Sequence, residues 1–130
     1  RSSFKEVQAV VALFFHDGKV LIRRRPEKGF LAGLWELPWK ENASIQEVIA
    51  ENSLLPVSSP QSVGEFSHTY CKRRVKAQVF LVPVDSHPRS LPQEHHWQPL
   101  DRLGEYPFSS FHRKALRLFN NSFSTGKERE

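Results

Sequence analysis

The chain contains no methionine, a single cysteine and no long apolar run, and each shortage excludes something. With no methionine even at position 1, it is expected to be cut from a longer polypeptide or to have lost its start, and the function of the parent need not reside in this span. One thiol, Cys71, can neither close an internal disulfide nor hold a cysteine-ligated iron–sulfur cluster, which suits a reducing compartment. Cys71 itself is read as a packed thiol rather than a nucleophile. No apolar stretch reaches the eighteen or so residues that a membrane helix needs, and no charged-then-apolar signal segment opens the chain. A soluble, intracellular and cytoplasmic protein with no membrane partner is therefore expected.

What is present is enough for one core. In 130 residues, 38% hydrophobic content with ten Phe and three Trp predicts a single domain over 1–130, with an ordered core of about residues 4–120. Nineteen Lys plus Arg outnumber fourteen Asp plus Glu, giving a net charge of +5 and a pI near 9.7. That balance fits a polyanionic partner, and equally fits plain solubility.

Val7 to Phe15 is a continuous apolar run rich in β-branched and aromatic residues, which predicts a strand buried on both faces. Asp17 and Gly18 suit the positive-φ positions of a tight hairpin, with Lys19 to Arg25 returning as the partner strand. Residues 26–42 are punctuated by Gly and Pro and predict a loop whose Trp35, Leu37 and Trp39 fold back onto the core. Ser44 and Glu47 form a capping-box pair that starts a short helix carrying Ile45, Val48 and Ile49 on one face, with Asn52 at its end, before Pro56. Val63 to Tyr70 and Arg74 to Val84 read as a second strand pair, joined by a basic turn of Lys72, Arg73 and Arg74. A polar loop over 85–94 precedes a short strand at Trp97, a helical turn to Leu103, and an amphipathic helix from Ser109. Phe111, Ala115, Leu118 and Phe119 line that helix's apolar face, Arg113, Lys114 and Arg117 its wet face, and a frayed tail is expected from Asn120. The order β-β-α-β-β-β-α predicts an α/β (α+β) domain, a mixed sheet with helices packed on it.

The densest signal is the succession Arg23, Arg24, Arg25, Pro26, then Gly29, Phe30, Leu31, Ala32, Gly33, Leu34, Trp35, Glu36, Leu37 and Pro38. It resembles the Nudix fold, a mixed sheet sandwiched by helices, and more closely the Nudix-like C-terminal domain of the MutY family of A/G-specific adenine DNA glycosylases. Phe66, Ser67 and His68 are similar to the Phe-Ser-His loop of that domain. Trp97, Leu100, Leu103, Tyr106, Pro107, Phe108, Arg113 and Lys114 resemble its closing segment, so the resemblance covers nearly the whole chain.

A working Nudix hydrolase needs one Glu and then a Glu pair on the same helical face to gather a divalent metal for pyrophosphate cleavage. Here Glu47 and Glu51 occupy two of those positions, and the third is Ala50. Gln46 stands for the arginine before Glu47, Ser53 for the later glycine, and Trp39, Lys40 and Glu41 replace the glycine-rich turn. Such a degenerate remnant predicts no functional metal site. Likewise His95 and His96 lack the companion ligands of a metal centre.

The resemblance implies recognition of 8-oxoguanine opposite adenine in double-stranded DNA during base excision repair. Guanine shows an acceptor at N7, whereas 8-oxoguanine shows an N7–H donor beside a new O8 acceptor, and a hydroxyl can answer both. Ser67 is the candidate reader, set against the plain alternative of a serine capping its own backbone. Phe66 is a candidate wedge or a core residue, and His68 a phosphate contact or a structural donor. Lys72, Arg73 and Arg74 are candidate DNA-backbone contacts, joined by some of Arg23 to Arg25. The resemblance further implies that this chain alone is not catalytic: the catalytic residues and iron–sulfur cluster of the family lie in a tethered N-terminal glycosylase domain that this span lacks. Two alternatives stand beside it. One is a Mg²⁺-dependent pyrophosphohydrolase for oxidised nucleotides using Glu47, Glu51 and Glu41 or Glu36; the other is a module whose basic face docks a repair or replication protein.

Overall fold

A computed structural model describes residues 4–25, 33–52, 58–85 and 94–128, with side chains up to residue 122. Pro26, Gly29, Phe30, Leu31, Ala32, Ser53, Pro56 and the 86–93 part of the polar loop lie outside the described residues.

The predicted apolar run forms β1 (Lys5–His16) and returns through Asp17 and Gly18, at φ of 52° and 76°, into β2 (Lys19–Arg24). Both turn residues lie in the left-handed region, where a two-residue turn matches the twist of its strands. Residues 33–42 are not all loop: β3 (Trp35–Glu36) pairs with β2, and β4 (Trp39–Glu41) pairs with β1. Strands of two or three residues are too short to show a period, so the sequence pattern misses them. The capping box forms as expected at the start of α1 (Ile45–Glu51): Ser44 Oγ accepts from the Glu47 N–H at 3.2 Å, and Glu47 Oε1 accepts from the Ser44 N–H at 3.0 Å.

Next come β5 (Gln61–Tyr70) and β6 (Arg73–Pro83), an antiparallel pair, followed by β7 (His95–Pro99) against β2 and a 3₁₀ helix over Leu100–Glu105. Helix α2 (Ser110–Glu128) continues past Asn120 as regular backbone.

The sheet is mixed, in the order β3-β2-β1-β6-β5. Eleven register pairs run parallel between β1 and β6, from Lys5↔Arg73 to Phe15↔Pro83. Because β1 is central, its alternate residues serve two cores. Val7, Ala9, Val11 and Leu13 face α2 and join Val75, Ala77, Val79, Leu37, Phe111, Ala115 and Phe119. Val10, Ala12 and Phe14 face α1 and join Leu21, Ile45, Val48, Val82 and Val84. Each Val, Leu, Ile or Phe among them contributes roughly 1.5–3 kcal/mol on full burial, each Ala less. The result is a sheet between two helical layers, the architecture expected of a Nudix fold. Cys71 is the exception to its reading: it is exposed, in the turn between β5 and β6.

Candidate nucleic-acid interface

Phe66, Ser67 and His68 lie within β5, not at a loop tip; the turn that follows is formed by Cys71 and Lys72. Strand alternation therefore separates the three. Phe66 and His68 point toward α2, with ring centroids 5.1 and 5.7 Å from that of Phe111, and Phe66 packs on the core beneath the helix. Ser67 is exposed on the opposite face, between Glu65 and Thr69. Its carbonyl accepts a hydrogen bond from Lys114 Nζ of α2 at 3.0 Å, which ties the edge strand to the helix. The His68 imidazole, held below its ordinary range by partial burial and by the charge of Lys114, is favoured as the neutral form.

The basic turn divides in the same way. Arg73 turns to the α2 side, where its guanidinium donates to Glu41 at 2.6 Å and stands over the Tyr70 ring. Arg74 turns to the Ser67 side, donates to Glu6 at 2.7 Å and covers Phe4. Lys72 sits in the exposed turn at φ 60°, its carbonyl receiving the Lys5 N–H. Arg23 and Arg25 both donate to Glu36, at 2.7 and 3.0 Å, while Arg24 faces Glu94.

Glu36 organises a cluster that the sequence reading did not assign. Trp39 Nε1 donates to the same carboxylate at 3.0 Å, and His112, fully buried at the start of α2, brings Nε2 to 3.7 Å. Nδ1 of His112 accepts the Leu37 N–H at 3.3 Å, so the ring is neutral with its proton on Nε2. Burial pushes the Glu36 carboxyl up, but hydrogen bonds and charge from His112 and Arg23 outweigh it and hold it at about 2. Burial is the larger influence on His112 and drives its imidazole below the usual range despite Glu36. The available signal was an acid in an otherwise apolar run three residues from a Trp and a dozen from an arginine strand. A cavity of about 770 Å³ opens beside this cluster, lined by Arg25, Glu41, Tyr70, His68, Phe111 and neighbours.

The remnant acids are also engaged. Glu47 closes the cap of α1, and Glu51 pairs with the Lys40 ammonium, whose own charge is reinforced by that pair. Lys40 stands in the segment that replaces the glycine-rich turn, so a cation of this chain already answers the Glu51 carboxylate. Glu36 and Glu41, the further acids available to a hydrolase, are each held by arginine. Among the described residues no three His, Cys, Asp or Glu gather as a metal site, and no helix is long and apolar enough to cross a membrane. His95 and His96 lie in β7, with His96 bonded to Gln98 at 3.0 Å.

Comparison with known proteins agrees with this architecture. The adenine DNA glycosylase of Mus musculus is 28% identical over 112 residues, and that of Homo sapiens 24% over 112. Each alignment covers 78% of this chain but only 22% and 20% of the relative, so the chain spans about a fifth of their length. Among solved structures, the C-terminal domain of mouse MUTYH, determined in complex with human PCNA, superposes with a TM-score of 0.74 at 23% identity, covering 90% of this chain and 89% of that one. The MutT protein of Methanosarcina mazei Go1 gives 0.73 at 24% identity, covering 93% and 97%. The sequence profile of the NUDIX domain matches residues 9–118, the span that builds the sheet, α1 and the start of α2, and the chain accordingly belongs to the NUDIX domain family.

Proposed function

We propose that this chain is the lesion-sensing domain of an adenine DNA glycosylase, recognising 8-oxoguanine opposite adenine in duplex DNA, with Ser67 reading the oxidised base. The observation that carries the reading is the exposed Ser67 on an edge strand of a Nudix fold whose remnant acids Glu47 and Glu51 are engaged by the Ser44 N–H and by Lys40. Similarity to two mammalian adenine DNA glycosylases supports the repair context. A hydroxyl accepts from N7–H and donates to O8, a two-point contact worth about 1–3 kcal/mol of discrimination. The domain does not cleave a glycosidic bond by itself. Tethering to a catalytic domain with its own iron–sulfur cluster raises its effective concentration at the lesion. Lys72 and Arg74 lie on or beside the Ser67 face and are the phosphate contacts this reading keeps; Arg73, paired with Glu41 on the other face, is a structural cation.

The test is Ser67→Ala in the full-length enzyme, comparing adenine excision opposite 8-oxoguanine with excision opposite guanine. Discrimination should fall by about 5- to 150-fold, the equivalent of 1–3 kcal/mol; an unchanged ratio overturns the assignment. Pyrophosphate hydrolysis is the weaker alternative, because each acid it requires is engaged by a cap or a cation. Docking of a replication or repair protein is a compatible second reading, favoured by the complex in which the mouse MUTYH domain was solved.

A further inference from the structure

The two faces of the sheet are covered unequally. Helix α2 lies across β5 and β6 on one side, burying the row Val75, Ala77 and Val79. On the other side α1 covers Val10, Ala12, Phe14 and Val82, with Phe80 packed against them. Toward the β5–β6 turn that second face is open, and its residues are exposed and polar apart from Phe4, which lies under Arg74. Register pairs set them in rows across three strands. Gln8, Lys76 and Ser67 form one row; Glu6, Arg74 and Thr69 form the next toward the turn; Gln78 and Glu65 close the patch on the α1 side. At about 4.8 Å between strands, the Gln8–Lys76–Ser67 row is about 10 Å long.

The cations of this patch are not equivalent. Arg74 is held by Glu6 at 2.7 Å, whereas Lys76 is exposed and makes no ion pair with any described residue, Glu65 on the same face included. Lys76 is also directly opposite Ser67 in register, so their side chains leave the same face as cross-strand neighbours. An ammonium is a donor only, with three protons and no acceptor. It can donate to O8 of an oxidised guanine but has nothing to offer the N7–H, the atom that distinguishes the lesion's donor pattern. It suits a phosphate oxygen, the acceptor found at every nucleotide whatever its base.

From this juxtaposition we infer that the open face of β6, with Lys76 at its centre, is the DNA-bearing surface of the domain, and that Lys76 grips a backbone phosphate at the nucleotide whose base Ser67 meets. The inference rests on the reading of Ser67 given above and adds a positioning residue to it. Ser67 supplies selectivity and Lys76 supplies register and affinity. Arg73, one residue from the turn but on the α2 face, takes no part.

Titration of the chain with duplexes carrying 8-oxoguanine or guanine opposite adenine, over a range of salt concentrations, separates these roles. Lys76→Met should weaken binding to both duplexes by the same factor and flatten the log-affinity against log-salt slope by about 0.9, the loss of one phosphate contact. Lys76→Arg should restore slope and affinity together. Ser67→Ala should leave the slope unaltered and lower only the preference for the lesion. Arg73→Met, checked for folding by circular dichroism, should change neither. If Lys76→Met leaves the slope intact while Ser67→Ala erases the preference, the phosphate role is wrong and the reading of Ser67 stands. If the slope falls in Lys76→Met and the preference survives Ser67→Ala, the surface is right and the reading of Ser67 is wrong. A slope that falls only in Arg73→Met would move DNA to the opposite face and overturn both.

Discussion

Glu36 and His112 are the residues whose ionisation most depends on the fold. The Glu36 carboxylate is buried, yet two guanidinium groups and the Trp39 indole meet its oxygens, and it remains charged. Removing both guanidinium groups would leave the buried carboxylate without a countercharge, at a cost of roughly 3–5 kcal/mol, whereas the loss of either alone is shared by the partners that remain. His112 is the opposite case: burial keeps it neutral, and its Nδ1 is committed to the Leu37 N–H. Its folded value lies below the unfolded value near 6.5, so between those two the unfolded chain binds a proton that the folded chain refuses. Stability must therefore fall as pH drops below about 6.5, by up to about 1.4 kcal/mol per pH unit for each such histidine. His68 is shifted the same way but is only partly buried, so solvent screens its contribution to a smaller one. Glu36 acts lower: its stabilisation is complete above about 4.5 and is lost as pH falls toward 2. Denaturant unfolding between pH 7.5 and 5 should show a weaker pH dependence in His112→Gln than in the parent. An identical dependence in both would mean that the ring titrates as freely as in the unfolded chain.

At the scale of elements, the two hairpins make an instructive pair. Asp17–Gly18 has the residues a two-residue turn with both φ positive prefers, and the turn was legible from them. Cys71–Lys72 adopts the same geometry, at φ of 47° and 60°, without either preferred residue, and was legible only as a basic connection. A left-handed conformation costs a residue with a Cβ about 1–2 kcal/mol. Replacing Cys71 and Lys72 by Asn and Gly should therefore stabilise the domain by about 1–2 kcal/mol, read as a higher urea midpoint at unchanged m. A lowered midpoint would show that the native side chains do more for the fold than their backbone strain removes. The same limit on local signals explains β3 and β4: both exist because β1 and β2 offer them partners, and neither has the length to announce itself. The Phe-Ser-His segment is the reverse case: the Val63–Tyr70 pattern reads as a strand and pairs with β6 to Tyr70, where the resemblance presents a loop.

For the whole molecule, the two cores share a single sheet. Leu37 and Phe14 are both fully buried, one on the α2 side and the other on the α1 side, and β1 and β6 contribute to both sides. A strand with no exposed face through its middle cannot lose one core and keep the other. Leu37→Ala and Phe14→Ala should each cost about 2–5 kcal/mol, and each should lower one common unfolding transition followed by fluorescence and by circular dichroism. Two separated transitions in either variant would mean that the layers unfold independently.

Features that depend on neighbours along the chain can be read from the residues alone. These are the doubly buried β1, the Asp17–Gly18 turn, the Ser44–Glu47 cap and the apolar face of α2, because alternation, helical spacing and capping act over a few residues. Where the charges go depends instead on contacts between residues far apart in the chain. Arg73 meets Glu41 at a separation of 32 residues and Arg74 meets Glu6 at 68, on opposite faces of one strand, while Glu36 is joined by His112 from the far end of the chain. Period two says that adjacent side chains diverge, but not which of them will find a helix above it and which will find water. That depends on α2 covering one face of β6 and α1 stopping short on the other, and it is what sets Ser67 and Lys76 side by side in solvent.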